Sequence, residues 1–137
     1  MTTRTRASLA DRPIADALNE SGRTLDVGDT AAAARALLAN DAVRVVPVLE
    51  GGRYVGAVDR SLVGPAVPDD APIGTIARHL LPTVPASLRA GEAFVLADGW
   101  RTLRLVVLAE DGATYLGIVC LRSDRERLCV HAGRADV

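Results

Sequence analysis

One pattern is written twice in this chain, and it constrains the fold more than any other feature. The stretch RVVPVLEGGRYVGAVDRSL, Arg44 to Leu62, reads as two apolar strands joined by Gly51-Gly52, then a short helix over Arg60 to Val63. Val45, Val46, Val48 and Leu49 form the first strand, and Tyr54, Val55, Ala57 and Val58 the second. Their β-branched weight suits a pleated surface, and paired glycines suit a tight hairpin turn. The pattern returns as RLVVLAEDGATYLGIVCLRSD, Arg104 to Asp124, with Asp111-Gly112 at the turn.

The likeness extends upstream. Pro13-Ile14 matches Pro72-Ile73, Val27 matches Val84, Arg44 matches Arg104, Tyr54 matches Tyr115 and Gly56 matches Gly117. The spacing drifts between 57 and 61 residues, as loops of duplicated units allow. The chain has two tyrosines, and both fall at one repeat position. A repeat of this size is marginal alone, because small units bury too little of their surface. Two copies packed sheet to sheet remedy that and leave a cleft between them, where small ligands bind.

Between the repeated strands the reading is simpler. Residues 1–11 form a mobile leader, 12–64 the first repeat, 65–71 a proline-rich linker, 72–129 the second repeat and 130–137 a frayed tail. Pro13 suits a helix start, with Ile14, Ala17 and Leu18 on one face until Ser21-Gly22. Thr24 to Val27 is extended, and Asp29 or Thr30 caps an alanine-rich helix from Ala31 to Asn40. Pro72-Ile73 opens a helix with Ile73, Ile76, Ala77 and Leu80 on one face. Leu81 to Ala86 is extended, Ser87 caps a helix from Leu88 to Asp98, and Gly99-Trp100 breaks it. Ser123 to Leu128 reads as a charged closing helix.

Composition narrows the function. The 137 residues are 49% apolar but only 3% aromatic, so Val, Leu, Ile and Ala must build the core. Every basic residue is arginine, and the net charge of -1 offers no electrostatic case for nucleic acid or an anionic membrane. No signal peptide or bilayer-length apolar run is visible, which leads us to expect a soluble cytoplasmic protein. Cys120 and Cys129 match neither a CxxC pair nor a zinc spacing and read as buried free thiols. His79 and His131 have no triad-like partners, and no GxSxG, P-loop or GxGxxG occurs. Asp69-Asp70 reads as a solvated linker pair. We expect no enzyme and no metal.

RVVPVLEGGRYVGAVDRSLV resembles the second half of a cystathionine-beta-synthase (CBS) domain: a basic residue, an xPVV-like strand, a short turn and a hydrophobic-Gly-hydrophobic strand. TYLGIVCLRSD resembles the same strand in a second copy. TLDVGDTAAAARALLANDA and TVPASLRAGEAFVLADG are similar to the strand and helix that precede it. The resemblance covers Pro13 to Leu128. It implies an α/β (α+β) Bateman module: two tandem CBS repeats, each a three-stranded sheet with two main helices, related by a pseudo-two-fold axis. Such modules commonly bind AMP, ATP or S-adenosylmethionine between the copies, and commonly pair head-to-head or head-to-tail as homodimers through their helices.

In that family a Thr or Ser after the glycine strand donates to phosphate, and an Asp three residues on accepts from ribose hydroxyls. Here Gly56 and Gly117 keep the glycine. Asp59 and Cys120 stand at the Thr position, and Leu62 and Ser123 at the Asp position, with Asp124 one step away. Neither copy carries the intact pair. Arg44, Arg60, Arg104 and Arg122 can reach a phosphate with forked donors, or else are solvated or pair with Asp59 and Asp124. Pro47 and Val48 either floor a base-binding cleft or simply pack the core. Two functions follow: a stand-alone regulatory module sensing an adenosine-containing ligand through a dimer or partner protein, or a structural dimerisation module with a silent cleft.

Overall fold

A computed structural model describes residues 5–18, 23–99 and 103–129. In the first copy β1 (Leu25–Asp26), α2 (Ala31–Leu38), β2 (Val46–Glu50) and β3 (Arg53–Val58) follow one another. In the second, β4 (Thr83–Pro85), α3 (Ala90–Asp98), β5 (Arg104–Leu108) and β6 (Tyr115–Cys120) repeat the order. A short helix α1 (Arg6–Leu9) precedes both. The sheets run β1-β2-β3 and β4-β5-β6, each with one parallel and one antiparallel pairing.

The strand register shows the duplication more strictly than the sequence does. Leu25 pairs with Val48 as Val84 pairs with Val107, and the amides of Val27 and Ala86 donate to the carbonyls of Leu49 and Leu108. The copies are therefore 59 residues apart from Pro13 through β2, not drifting. The spacing becomes 61 only past the hairpin turns, at Gly56 and Gly117. Gly51 and Gly52 make a tight turn with both φ positive, at 57° and 83°. Its counterpart is two residues longer, and Asp111 braces it by accepting from the amides of Ala113 and Thr114. Val27 thus matches Ala86, and Arg104 matches Val45 rather than Arg44. A one-residue slip along a strand reverses which face a side chain meets.

Each copy is completed by a segment from elsewhere in the chain. Ile73 is fully buried with Leu25, Ala31, Leu38 and Val48 in the first core, and Thr30 bridges Pro72. Ile14 is fully buried with Val84, Ala90, Phe94 and Val107 in the second, and Arg89 bridges Pro13. The proline-isoleucine leaders are therefore exchanged between the copies. Residues 5–11, expected to be mobile, instead carry α1, with Thr5 and Ser8 bonded reciprocally at its start and Leu9 buried in the second core. Met1 to Arg4, the helix end at Ser21-Gly22, Trp100 and the tail from Val130 lie outside the described residues.

Several local expectations give way. Residues 73–80 form a 3-10 turn over Ile73–Thr75 rather than a helix, because Arg78 pairs back with Ala57 of β3. Pro13 likewise leads only a 3-10 turn, Ile14–Ala17. Ser87 caps nothing: its amide donates to Glu110, and α3 begins at Ala90. Arg60 to Val63 is a turn closed on Asp59. The closing helix is absent. Asp124 accepts from the amides of Glu126 and Arg127, turning the chain so that Leu121 faces Leu128. That reversal brings Cys129 to Cys120, and the two form a disulfide rather than free thiols.

Candidate functional site: the seam between the copies

The two hairpins meet at their turns. Tyr54 N–H donates to Ala113 O (3.0 Å) and Tyr115 N–H to Gly52 O (2.9 Å), a reciprocal pair that makes the seam two-fold. Below these bonds Val45, Ala57, Leu81, Val106, Leu108 and Ile118 form an apolar cluster shared by both copies. Tyr54 and Tyr115 stack over it with ring centroids 6.5 Å apart and planes 23° from parallel. Both hydroxyls are buried and make no hydrogen bond. Burial pushes both phenols up to about 12, and their proximity adds to this at Tyr115. The sequence marked these tyrosines only as repeat signposts; as the sole pair of their kind at matched positions, they were also the signal for the seam.

The candidate residues divide around this seam. Arg104 occupies the inward position that Val45 holds in the first copy, and its side chain is partly buried. Desolvation lowers its pKa, and the charge of exposed Arg44 adds to the effect. The two arginines thus share one region without being repeat equivalents. Pro47 is buried and pairs with Ala57, whereas Val48 packs against α2 in the first core and does not reach the seam.

Gly56 and Gly117 serve close packing. A Cβ on Gly56 would lie 3.1 Å from Arg78 O and 3.2 Å from Ala77 Cβ; one on Gly117 would lie 2.9 Å from Leu18 Cδ2. In each copy the glycine strand passes beneath the exchanged leader segment.

The acids are committed to turns. Asp59 accepts from Ser61 Oγ (2.6 Å) and the Leu62 amide. Asp124 also takes Arg127 Nε at 2.7 Å, and these donors hold its carboxyl well below the usual carboxylate range. Arg60 turns away to donate to Asn40 O at 2.8 Å. Arg122 lies in the closing turn, its amide bonded to Arg127 O. Cys120 is sealed in the disulfide and offers no thiol. The structure therefore brings Arg104 and Pro47 to the seam side, sets exposed Arg44 near Arg104, and leaves Val48, Arg60 and Asp124 elsewhere.

No protein-family model matches this sequence, and a search of curated proteins returns no match. Solved structures do. A hemolysin-like CBS-domain protein of Oenococcus oeni is 22% identical over 88% of this chain and 91% of its own, with a TM-score of 0.65. The CBS domains of a transcriptional regulator from Streptococcus pneumoniae align over 82% and 95% at 19% identity and a TM-score of 0.66. A CBS-pair protein of Arabidopsis thaliana aligns over 79% and 87% at 18% identity, also with a TM-score of 0.66. Together with the exchanged, two-fold architecture, these define the class: the chain has the fold of a tandem CBS-domain pair, α+β, with two three-stranded mixed sheets. No helix among the described residues is long and apolar enough to cross a membrane.

Proposed function

We propose that this protein is a regulatory module that senses a small adenosine-containing ligand in the seam, and that it works through a homodimer or a partner protein. The reading is carried by Arg104 at the register position of the seam residue Val45, with Arg44 near enough for the two charges to interact. Two neighbouring guanidinium groups, one of them partly desolvated, favour a phosphate-bearing ligand such as AMP or ATP. The partly exposed, stacked tyrosine rings add a flat apolar surface, which suits a heterocyclic base. A ligand touching both copies couples to their relative packing, which is how binding here is transmitted. AMP, ATP and S-adenosylmethionine are the probes. Calorimetric binding by one of them, weakened about tenfold or more in Arg104→Gln, supports the reading. Silence from all three defeats it.

The second reading is a dimerisation module with a silent cleft. It is favoured by the commitment of Asp59 and Asp124 to turns and by Val95 and Leu96 of α3, which are 63% and 46% exposed. Sedimentation of Val95→Arg tests helix-mediated pairing: a dimer that becomes monomeric supports it and an unchanged species opposes it, while the nucleotide titrations separate the two readings.

A further inference from the structure

A cavity lies away from the seam. It has a volume of about 440 Å3 at the C-terminal end of α2, lined by Arg35, Leu38, Ala39, Arg60, Val63 and Pro65. That volume falls in the range of small-molecule sites. Leu38 and Val63 belong to the first copy's own core, which packs on the face of β2 carrying Val46 and Val48, opposite the seam cluster.

The second copy shows what such a space ordinarily contains. The 59-residue spacing extends to the segments flanking the helices. The amides of Ala31 and Ala32 donate to Ala71 O and Asp69 O, just as those of Ala90 and Gly91 donate to Arg12 O and Ala10 O. Arg35, Ala39 and Pro65 therefore correspond to Phe94, Asp98 and Arg6. In the second copy the Arg6 guanidinium lies over the Phe94 ring, 5.9 Å from its centroid, and pairs with the Asp98 carboxylate at 2.6 Å. In the first copy none of these three groups is present. Ala39 has no carboxylate and Pro65 no cation. Arg35 is turned onto the 63–69 loop, donating to Val63 O, Gly64 O and Val67 O and pairing with Asp69.

What the first copy adds at this end is Arg60. Among the described residues its one hydrogen bond goes to Asn40 O, beside Ala39, and no carboxylate of those residues pairs with it. The cavity thus combines an apolar floor with one uncompensated guanidinium at the place where the other copy holds a carboxylate.

We infer that this cavity binds a small monocarboxylate with an apolar body, its head on Arg60 and its chain against Leu38 and Val63. A forked guanidinium pairs well with a carboxylate, and a single spare cation favours a monoanion over a phosphate dianion. The site is independent of the seam, so its test leaves the reading above untouched.

Titration of the full chain with octanoate, octanol and acetate, followed by amide NMR, is the experiment. Octanoate should move the amide signals of Leu38, Ala39, Val63 and Gly64 saturably, with octanol and acetate about tenfold weaker or worse. Arg60→Gln should weaken octanoate about tenfold. Ala39→Asp, which supplies the carboxylate of the second copy, should abolish binding. No saturable shift at those amides, octanol binding as tightly as octanoate, or Arg60→Gln binding octanoate like the parent would each overturn the proposal.

Discussion

Matched positions in the two copies trade volume. The amide of Gly74 donates to Val27 O as that of Ala15 donates to Ala86 O. One copy pairs valine with glycine, the other alanine with alanine. A Cβ on Gly74 would lie 2.7 Å from Val27 Cβ, so Gly74→Ala should destabilise by about 1–3 kcal/mol in urea denaturation. Adding Val27→Ala should recover most of that loss, since it recreates the other copy's arrangement; no recovery would break the equivalence. None of this was legible beforehand, because matching Val27 to Val84 by type missed the register by two residues. Arg44 was matched to Arg104 by type as well, and the structure assigns Arg104 to Val45. Side-chain identity was a poorer guide than strand pairing wherever the copies had diverged. The turn acids carry a pH prediction. Asp111 is lowered to about 2, chiefly by the Thr114 hydroxyl and then by the amides of Thr114 and Ala113, and Asp124 is lowered further. A depressed carboxylate contributes stability above its unfolded pKa, near 4, and loses it as pH falls through the folded value. The melting temperature should therefore be level above about pH 4 and decline toward pH 2, with a shallower decline in Asp111→Asn. Both groups face solvent, so the effect is small.

Helix and strand existence was easier to read than helix ends. The repeated hairpins, the Ala31 helix and the strand preceding each helix were all visible as periodic apolar runs, and they form. What failed was decided by contacts distant in sequence. Arg78 pairs with Ala57, Glu110 takes the Ser87 amide, and Asp124 folds the chain back where charge patterning suggested a helix. Comparing the two helices yields a direct test. Thr30 caps α2 by accepting from the Ala33 amide, whereas its counterpart Arg89 makes no such bond for α3. Arg89→Thr should stabilise the protein by about 1 kcal/mol, and a neutral or negative effect would mean the two helix starts are not equivalent. The disulfide was also beyond reach of the sequence, since a separation of nine residues carries no pairing signal. It closes the turn whose Glu126 carbonyl receives the Arg6 amide and whose Arg125 bonds to Asp98 O, so it ties α1, β6 and α3 together. Cys120→Ser with Cys129→Ser should cost about 2–3 kcal/mol from loop closure. Reductant should reproduce that loss in the parent chain, and equal stability in oxidising and reducing buffer would contradict it.

Taken whole, the molecule is one unit used twice, with each core finished by a segment from outside its own hairpin. That arrangement explains why the sequence halves and the packing units do not coincide. It also explains why the tyrosine hydroxyls are buried: the seam exists only when both copies are in place. A raised tyrosine pKa contributes stability below the unfolded value near 10 and loses it as pH climbs through the folded one. Tyrosinate absorbance should accordingly lag until about pH 12 in the folded state, with stability falling between about 10 and 12, and ionisation near 10 in a folded protein would place both rings in water. The most direct measurement is a nuclear Overhauser spectrum of the intact chain with labelled methyl and aromatic groups. Ile14 should show contacts to Phe94 and Val84, Ile73 to Leu25 and Leu38, and the Tyr54 ring to the Tyr115 ring. Contacts from Ile14 to Leu25 and Leu38 instead, or tyrosine rings with no mutual signal, would contradict the exchange and with it the shared seam.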